Sequence, residues 1–380
     1  MNLIERKNIV MLVTNDLVYD QRVLRHANFL DSKNYNIFLI GRIKETTDKS
    51  IPLKSPHKRF KMIFNKSWLF YAEINIRMTL FLLFQKVDII WANDLDTLPS
   101  AYVISKLRSK KLVYDSHEFF TGVPELENKP IVKRFWRKIE STLLPRIKIK
   151  FTVSEGIASL YKEHYDVDFD VVRNLSSSFD NCNQTEHELP IIQGFSFSEP
   201  FFIYQGALNK DRGLEYLIES MQFVDGYKLL IVGDGDIKSE LQGLVFKKQL
   251  FDKVKFTGLI EPTILKKITP KAKIGFSVEL PSNDNYRYCL PNKLFDYLQA
   301  GIPTIAYENL EIKKLFNQFK IGLLIKNHDP HELAERILYL INTPSLMSEI
   351  NGQISIAQVE FSWKNESKKI GDLILKIESK

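Results

Sequence analysis

Cysteine is nearly absent: Cys182 and Cys289 are the only two in 380 residues. Their spacing excludes a disulfide framework or a cysteine-based metal cluster and fits a reducing cytoplasm. Long apolar runs are missing too. A spanning helix needs about 20 apolar residues, and the nearest approach, Met78–Phe84, is hemmed in by charge. The run Ile9–Val13 is too short for a signal sequence and reads as a first strand, so no export is expected. No internal repeat or low-complexity tract occurs. There is no His/Cys cluster with ligand spacing, and Asp94 and Asp96 in NDLD read as the start of a helix; no metal site is expected.

What is present is the composition of a globular protein, 44% apolar and 26% charged, at a length suited to two domains. The net charge of +7 and pI near 9.0 favour a polyanionic partner: phosphate, nucleic acid or an anionic lipid surface. Short apolar runs alternate with amphipathic stretches. Ile9–Val13, Ile37–Ile40, Asp88–Trp91, Lys111–Tyr114 and Lys150–Val153 read as strands, with helices over Arg22–Ser32, Thr97–Arg108 and Gly156–Glu163. This is the pattern of a parallel sheet covered on both faces. A polar, irregular stretch then sets a linker at 176–200. Beyond it the alternation resumes from Phe201 to Ile341, so the fold class is α/β with two doubly wound domains, 1–175 and 201–360. Residues 361–380 form a terminal helix expected to pack back on the first domain. Ligands of such sheets sit at strand C-termini.

Arg212-Gly213 stands between a strand and a helix beginning near Leu214, where an arginine can meet a phosphate; a solvated first-turn arginine is the competing reading. Gly233-Asp234-Gly235 joins a strand to a helix, either to admit a ligand to the backbone or only to reverse the chain. In LPNKLFDYLQAGIP, Pro291 sets the turn, Asn292 is read as the N-cap, and Leu294, Tyr297 and Leu298 face a core. Lys293 falls in the first turn, where the helix dipole disfavours a cation unless an anion lies between. Asp296 lies one turn further on, within reach of a ribose, unless the two form a surface pair.

These motifs, with VKFTG at Val254–Gly258, resemble in order and spacing the C-terminal domain of family-4 retaining glycosyltransferases (glycosyl transferases group 1) of the GT-B fold. The resemblance implies two Rossmann-like domains facing a cleft. It also implies transfer of a sugar from a nucleotide-diphosphate sugar to an acceptor hydroxyl, with retention and without a metal or other cofactor. By motif position Arg212 binds the donor diphosphate and Asp296 the ribose. Ala207 stands where a second basic residue is usual, and Tyr288 where a glutamate is usual. That departure resembles a subgroup with a Pro-Asn-Lys motif that builds bacterial cell-surface polysaccharides or glycoconjugates, in which Lys293 supplies the missing charge. The donor site is then Arg212, Gly213, Gly233, Asp234, Gly235, Pro291, Asn292, Lys293, Leu294 and Asp296.

In the first half, His117 occupies the position of a family histidine that reaches the donor sugar, making His117, Arg212 and Lys293 the catalytic candidates. Asp20, Arg22, Asp94 and Glu118 are the acceptor-side candidates. For Asp20 and Arg22, a helix cap and a surface arginine are equal readings. The acceptor is expected to be a glycan or lipid-linked molecule. The segment Lys54–Lys86 mixes Lys58, Arg59, Lys61, Lys66 and Arg77 with Trp68, Phe70, Tyr71, Phe81 and Phe84. It reads either as a helix lying on an anionic membrane, placing a cytoplasmic protein on the inner face of the plasma membrane, or as a core helix with a basic loop. A sugar-nucleotide epimerase or a phosphorylase of the same fold is the enzymatic alternative. A nucleic-acid-binding protein is the other, although no zinc-finger or RNP-type motif occurs and no nucleic acid is expected.

Overall fold

The computed structural model describes residues 6–18, 20–44, 53–175 and 189–378. Two compact units emerge: Met1–Asn174 with Glu366–Lys380, and Leu175–Asn365. Most of the linker read at 176–200 lies outside the described residues.

The first unit is a seven-stranded sheet of β1 (Asn8–Asp16), β2 (Asn36–Ile43), β3 (His57–Lys61), β4 (Ile89–Asn93), β5 (Lys111–Ser116), β6 (Ile149–Thr152) and β7 (Asp170–Val171). Its order is β3-β2-β1-β4-β5-β6-β7, with every pairing parallel. The central strands β1 and β4 are apolar almost throughout because helices cover both sheet faces, leaving no exposed side for polar alternation. The last helix, Trp363–Glu378, buries Ile370, Leu373, Ile374 and Ile377. Glu366 accepts the Arg173 backbone N–H at 2.7 Å, and Lys7 donates to Glu378 at 2.8 Å.

The second unit carries β8 (Phe201–Gln205), β9 (Lys228–Val232), β10 (Val254–Gly258), β11 (Gly275–Ser277), β12 (Thr304–Tyr307) and β13 (Gly322–Ile325). The order is β10-β9-β8-β11-β12-β13, again parallel throughout. The apolar cores on its two faces include Phe202, Leu217, Leu294 and Leu298 on one, and Phe201, Ile203 and Tyr297 on the other. Both units are thus doubly wound, as the alternation of apolar runs predicts.

Lys54–Lys86 is not one helix. Its basic part is the edge strand β3, which pairs with β2, and the helix starts only at Ser67 and ends at Phe84. Phe70, Ile74, Met78 and Leu82 of that helix are buried, whereas Trp68 and Phe84 are exposed. A short strand rich in cations, His57–Lys61, was hidden in the sequence by its apolar neighbour. Among the described residues no helix is long and apolar enough to cross a membrane.

Candidate functional site

At the C-terminal end of the second sheet, β11 runs directly into Val278 and Glu279, while the helix Asn292–Ala300 begins at Pro291. The Lys293 ammonium lies 2.6 Å from Glu279 Oε1, and an Arg212 terminal nitrogen lies 3.6 Å from the same oxygen. Ser277 Oγ donates to the other carboxylate oxygen at 2.7 Å. Lys293 and Glu279 are both buried. Burial pushes the Glu279 carboxyl up, but Lys293 and Arg212 outweigh it and hold it below the usual range. Lys293 also sits 3.9 Å above the Tyr204 ring, and Arg212 4.9 Å above that of Tyr286. Two cations are therefore gathered around one carboxylate, which leaves the cluster with net positive charge.

Sequence reasoning did not find Glu279. The signal available was a carboxylate immediately after a buried apolar strand, the place where a parallel sheet presents side chains to a ligand. The surface Lys293–Asp296 pair does not form. Lys293 turns to Glu279, and Asp296 instead accepts from Gln205 Nε2 at 2.8 Å. Gln205 is itself fixed by Thr269 Oγ1, which donates to its amide oxygen at 2.9 Å.

Other expectations are corrected. Pro291 is the N-cap and Asn292 the first helical residue, because the proline's extended ψ of 136° ends the loop one position earlier than expected. Leu294, Tyr297 and Leu298 are buried as their spacing predicts. Gly213, in the left-handed conformation at φ 69°, caps the short helix Leu214–Ser220. At Gly233 (φ 144°) a Cβ would stand 1.9 Å from the Gly206 carbonyl oxygen, so the close approach there is made by the chain's own backbone. Asp234 is committed to the turn: it accepts from the Gly235 N–H at 2.9 Å and pairs with Lys238 at 3.1 Å. The turn at Gly233, Asp234 and Gly235 is thus held by the chain's own backbone and by Lys238.

The first unit has its own cluster at the ends of β4 and β5. His117 Nδ1 lies 3.0 Å from Asp94 Oδ2, the His117 backbone N–H donates to Asp94 Oδ1 at 2.8 Å, and His117 Nε2 is 3.6 Å from Asp115 Oδ2. Burial alone would lower the His117 pKa, but Asp94 and Asp115 raise it well above the ordinary value. The two carboxylates thus favour the protonated ring. Asp115, fully buried, is held well below the carboxylate range by Arg22 and His117 despite burial.

Arg22 is neither a surface residue nor open to an acceptor. It is buried, donates to Asp115 Oδ1 at 2.6 Å and Oδ2 at 3.1 Å, and reaches the Val172 carbonyl at 3.2 Å. Asp20 caps the helix Gln21–Ser32 by accepting the Val23 N–H at 3.1 Å. Glu118 contributes its backbone carbonyl, which accepts from Ser116 Oγ and Tyr161 Oη. Asp96 is buried, accepts from Thr14 Oγ1, and is raised to about 7 by burial first and the charge of Asp94 second.

Residues 188–353 match the family model described as glycosyl transferases group 1. Among curated proteins, the chain is 23% identical to the alpha-D-kanosaminyltransferase of Streptomyces kanamyceticus over 151 residues, 39% of this chain and 38% of that one. The chain thus spans well under half the length of this relative. Among solved structures, sucrose-phosphate synthase from Thermosynechococcus elongatus superposes with a TM-score of 0.76 at 16% identity, covering 98% of this chain and 100% of that one. Anabaena HepE in complex with UDP and glucose does so with a TM-score of 0.75 at 15% identity, with coverage of 98% and 100%. At such identity these structures establish the fold, which is GT-B. Most of the second unit therefore matches glycosyl transferases group 1, and the chain as a whole carries the GT-B fold.

Proposed function

We propose that the protein transfers a sugar from a nucleoside-diphosphate sugar to an acceptor hydroxyl, with retention at the anomeric carbon. The observation that carries this reading is the convergence of Arg212 and Lys293 on Glu279 beside the start of the helix Asn292–Ala300. A diphosphate leaving group gains negative charge as the bond from the anomeric carbon to its oxygen breaks, and two preorganised cations beside backbone N–H groups stabilise that charge most in the transition state. The acceptor oxygen forms the new bond to the same carbon, and its proton leaves with the diphosphate. Asp296, oriented by Gln205, takes the ribose hydroxyls.

In the first unit His117, kept cationic by Asp94, is assigned a hydrogen bond to a substrate hydroxyl. HepE, a structural neighbour, was solved with UDP and glucose, which supports a nucleotide-sugar donor. Because Arg212 and Lys293 neutralise the leaving group, the reading requires no metal, and the Pro-Asn-Lys subgroup points to polysaccharide or glycoconjugate assembly with a glycan or lipid-linked acceptor.

The test is a thermal-shift screen of UDP-, GDP- and other nucleotide sugars, followed by transfer assays with the stabilising donor in the presence of a chelator. Stabilisation by one donor and chelator-resistant transfer with retained configuration are expected. Conversion of the donor without any acceptor would replace transfer by epimerisation.

A further inference from the structure

The helix Pro130–Leu143 (PIVKRFWRKIESTL) presents an apolar and cationic face to solvent. Trp136 and Glu140 are its buried positions. Trp136 packs edge-to-face on Tyr71 and on Phe120 at 5.2 and 5.1 Å, and Glu140 accepts from Thr121 Oγ1 at 2.8 Å. These contacts hold the helix down by one side. On the other side Ile131 is 84% and Phe135 59% exposed, four residues apart and hence one above the other. Arg134, Arg137 and Lys138 are exposed beside them, and an open groove is lined by these three cations together with Ile131, Phe135 and Tyr165.

The only acid in this helix is the buried Glu140. Among the described residues, Lys133, Arg134 and Lys138 enter no ion pair. Exposing Ile131 and Phe135 to water is unfavourable, and grouping cations without counter-charges is too. One surface relieves both: an anionic bilayer, whose headgroups meet the guanidinium and ammonium groups while the apolar crest enters the acyl boundary. Tyr71, which grips Trp136, belongs to the helix Ser67–Phe84, where Trp68 one turn earlier is 72% exposed.

We propose that the helix Pro130–Leu143 docks the protein on an anionic lipid surface, with Ile131 and Phe135 inserted and Arg134, Arg137 and Lys138 on the headgroup phosphates. This proposal does not depend on the sugar-transfer reading, because its readout contains no sugar nucleotide.

The experiment is flotation of the full chain with vesicles of phosphatidylcholine alone or mixed with phosphatidylglycerol. Binding is expected only to the mixed vesicles and should weaken with salt. The double variant Arg134→Glu, Lys138→Glu should lower vesicle affinity at least about tenfold, since each cation near such a surface contributes appreciably. The double variant Ile131→Asp, Phe135→Asp should also release the protein. All four positions are exposed, and circular dichroism melting should show both variants folded. Equal binding to neutral vesicles, or wild-type binding by either folded variant, would overturn the proposal. So would displacement from vesicles by a short oligonucleotide, which would make the face a nucleic-acid surface. A vesicle-free dimer that the variants abolish would instead make it a contact between copies.

Discussion

Lys293 Nζ lies 2.6 Å from Glu279 Oε1 with both side chains shut away from water, so the cation placed for a diphosphate already has an internal counter-charge. Removing that counter-charge strands Lys293 and Arg212 together. Glu279→Gln should therefore cost about 3 kcal/mol of stability without ligand, as broken buried pairs do. An added nucleoside diphosphate should restore more of the melting temperature than it adds to the wild type. Thermal denaturation with and without the nucleotide checks this; equal shifts in both proteins would remove Glu279 from the site.

Arg212→Ala or Lys293→Ala should each lower kcat/KM by about 2–4 kcal/mol of transition-state stabilisation. Lys293→Ala also leaves Glu279 as an unpaired buried carboxylate. Combining it with Glu279→Gln should recover stability but not turnover, which separates the chemical role from the structural one. Unchanged turnover in both single variants would sink the assignment.

Asp94 faces His117 at 3.0 Å and raises its pKa. Because the folded value lies above the unfolded one, the stability from this pair is complete below about pH 6.5 and is lost as pH rises through the folded value. Asp94→Asn should move the alkaline limb of the rate profile down by about 1–3 pH units. A limb that stays in place would show that the charge of His117 is not used in turnover.

Glu140 also makes stability fall as pH rises, but through burial of its carboxyl and not through an ion pair. Burial raises its carboxyl to about 7, above the ordinary value of about 4.5. Between those values the folded chain holds a proton that the unfolded chain has released, so stability falls as pH rises, by up to about 3 kcal/mol. Glu140→Gln keeps a hydrogen-bonding partner for Thr121 and should remove that decline. Unfolding midpoints in urea at pH 5 and pH 8 should differ less in the variant; an unchanged difference would refute the account.

The element pattern was legible because parallel strands buried on both faces must be apolar and the helices between them must be amphipathic. The helix Leu214–Ser220 and the strand β9 fall where the periodicity places them. The edge strand β3 was not legible, since a short strand with one neighbour needs few apolar residues. Lys293 could be singled out because a cation in a first helical turn conflicts with the local dipole.

What satisfied that conflict was invisible in one dimension. The sequence by itself determined two doubly wound halves and the candidate cations Arg212 and Lys293, for these follow from periodicity and local preference. Only the tertiary structure decided that Glu279 stands between them, that Arg22 is locked on Asp115, and that Gly233 yields to the backbone of Gly206. Such pairings join residues far apart in the chain, and burial, which no local pattern encodes, sets how strongly each charge must be answered.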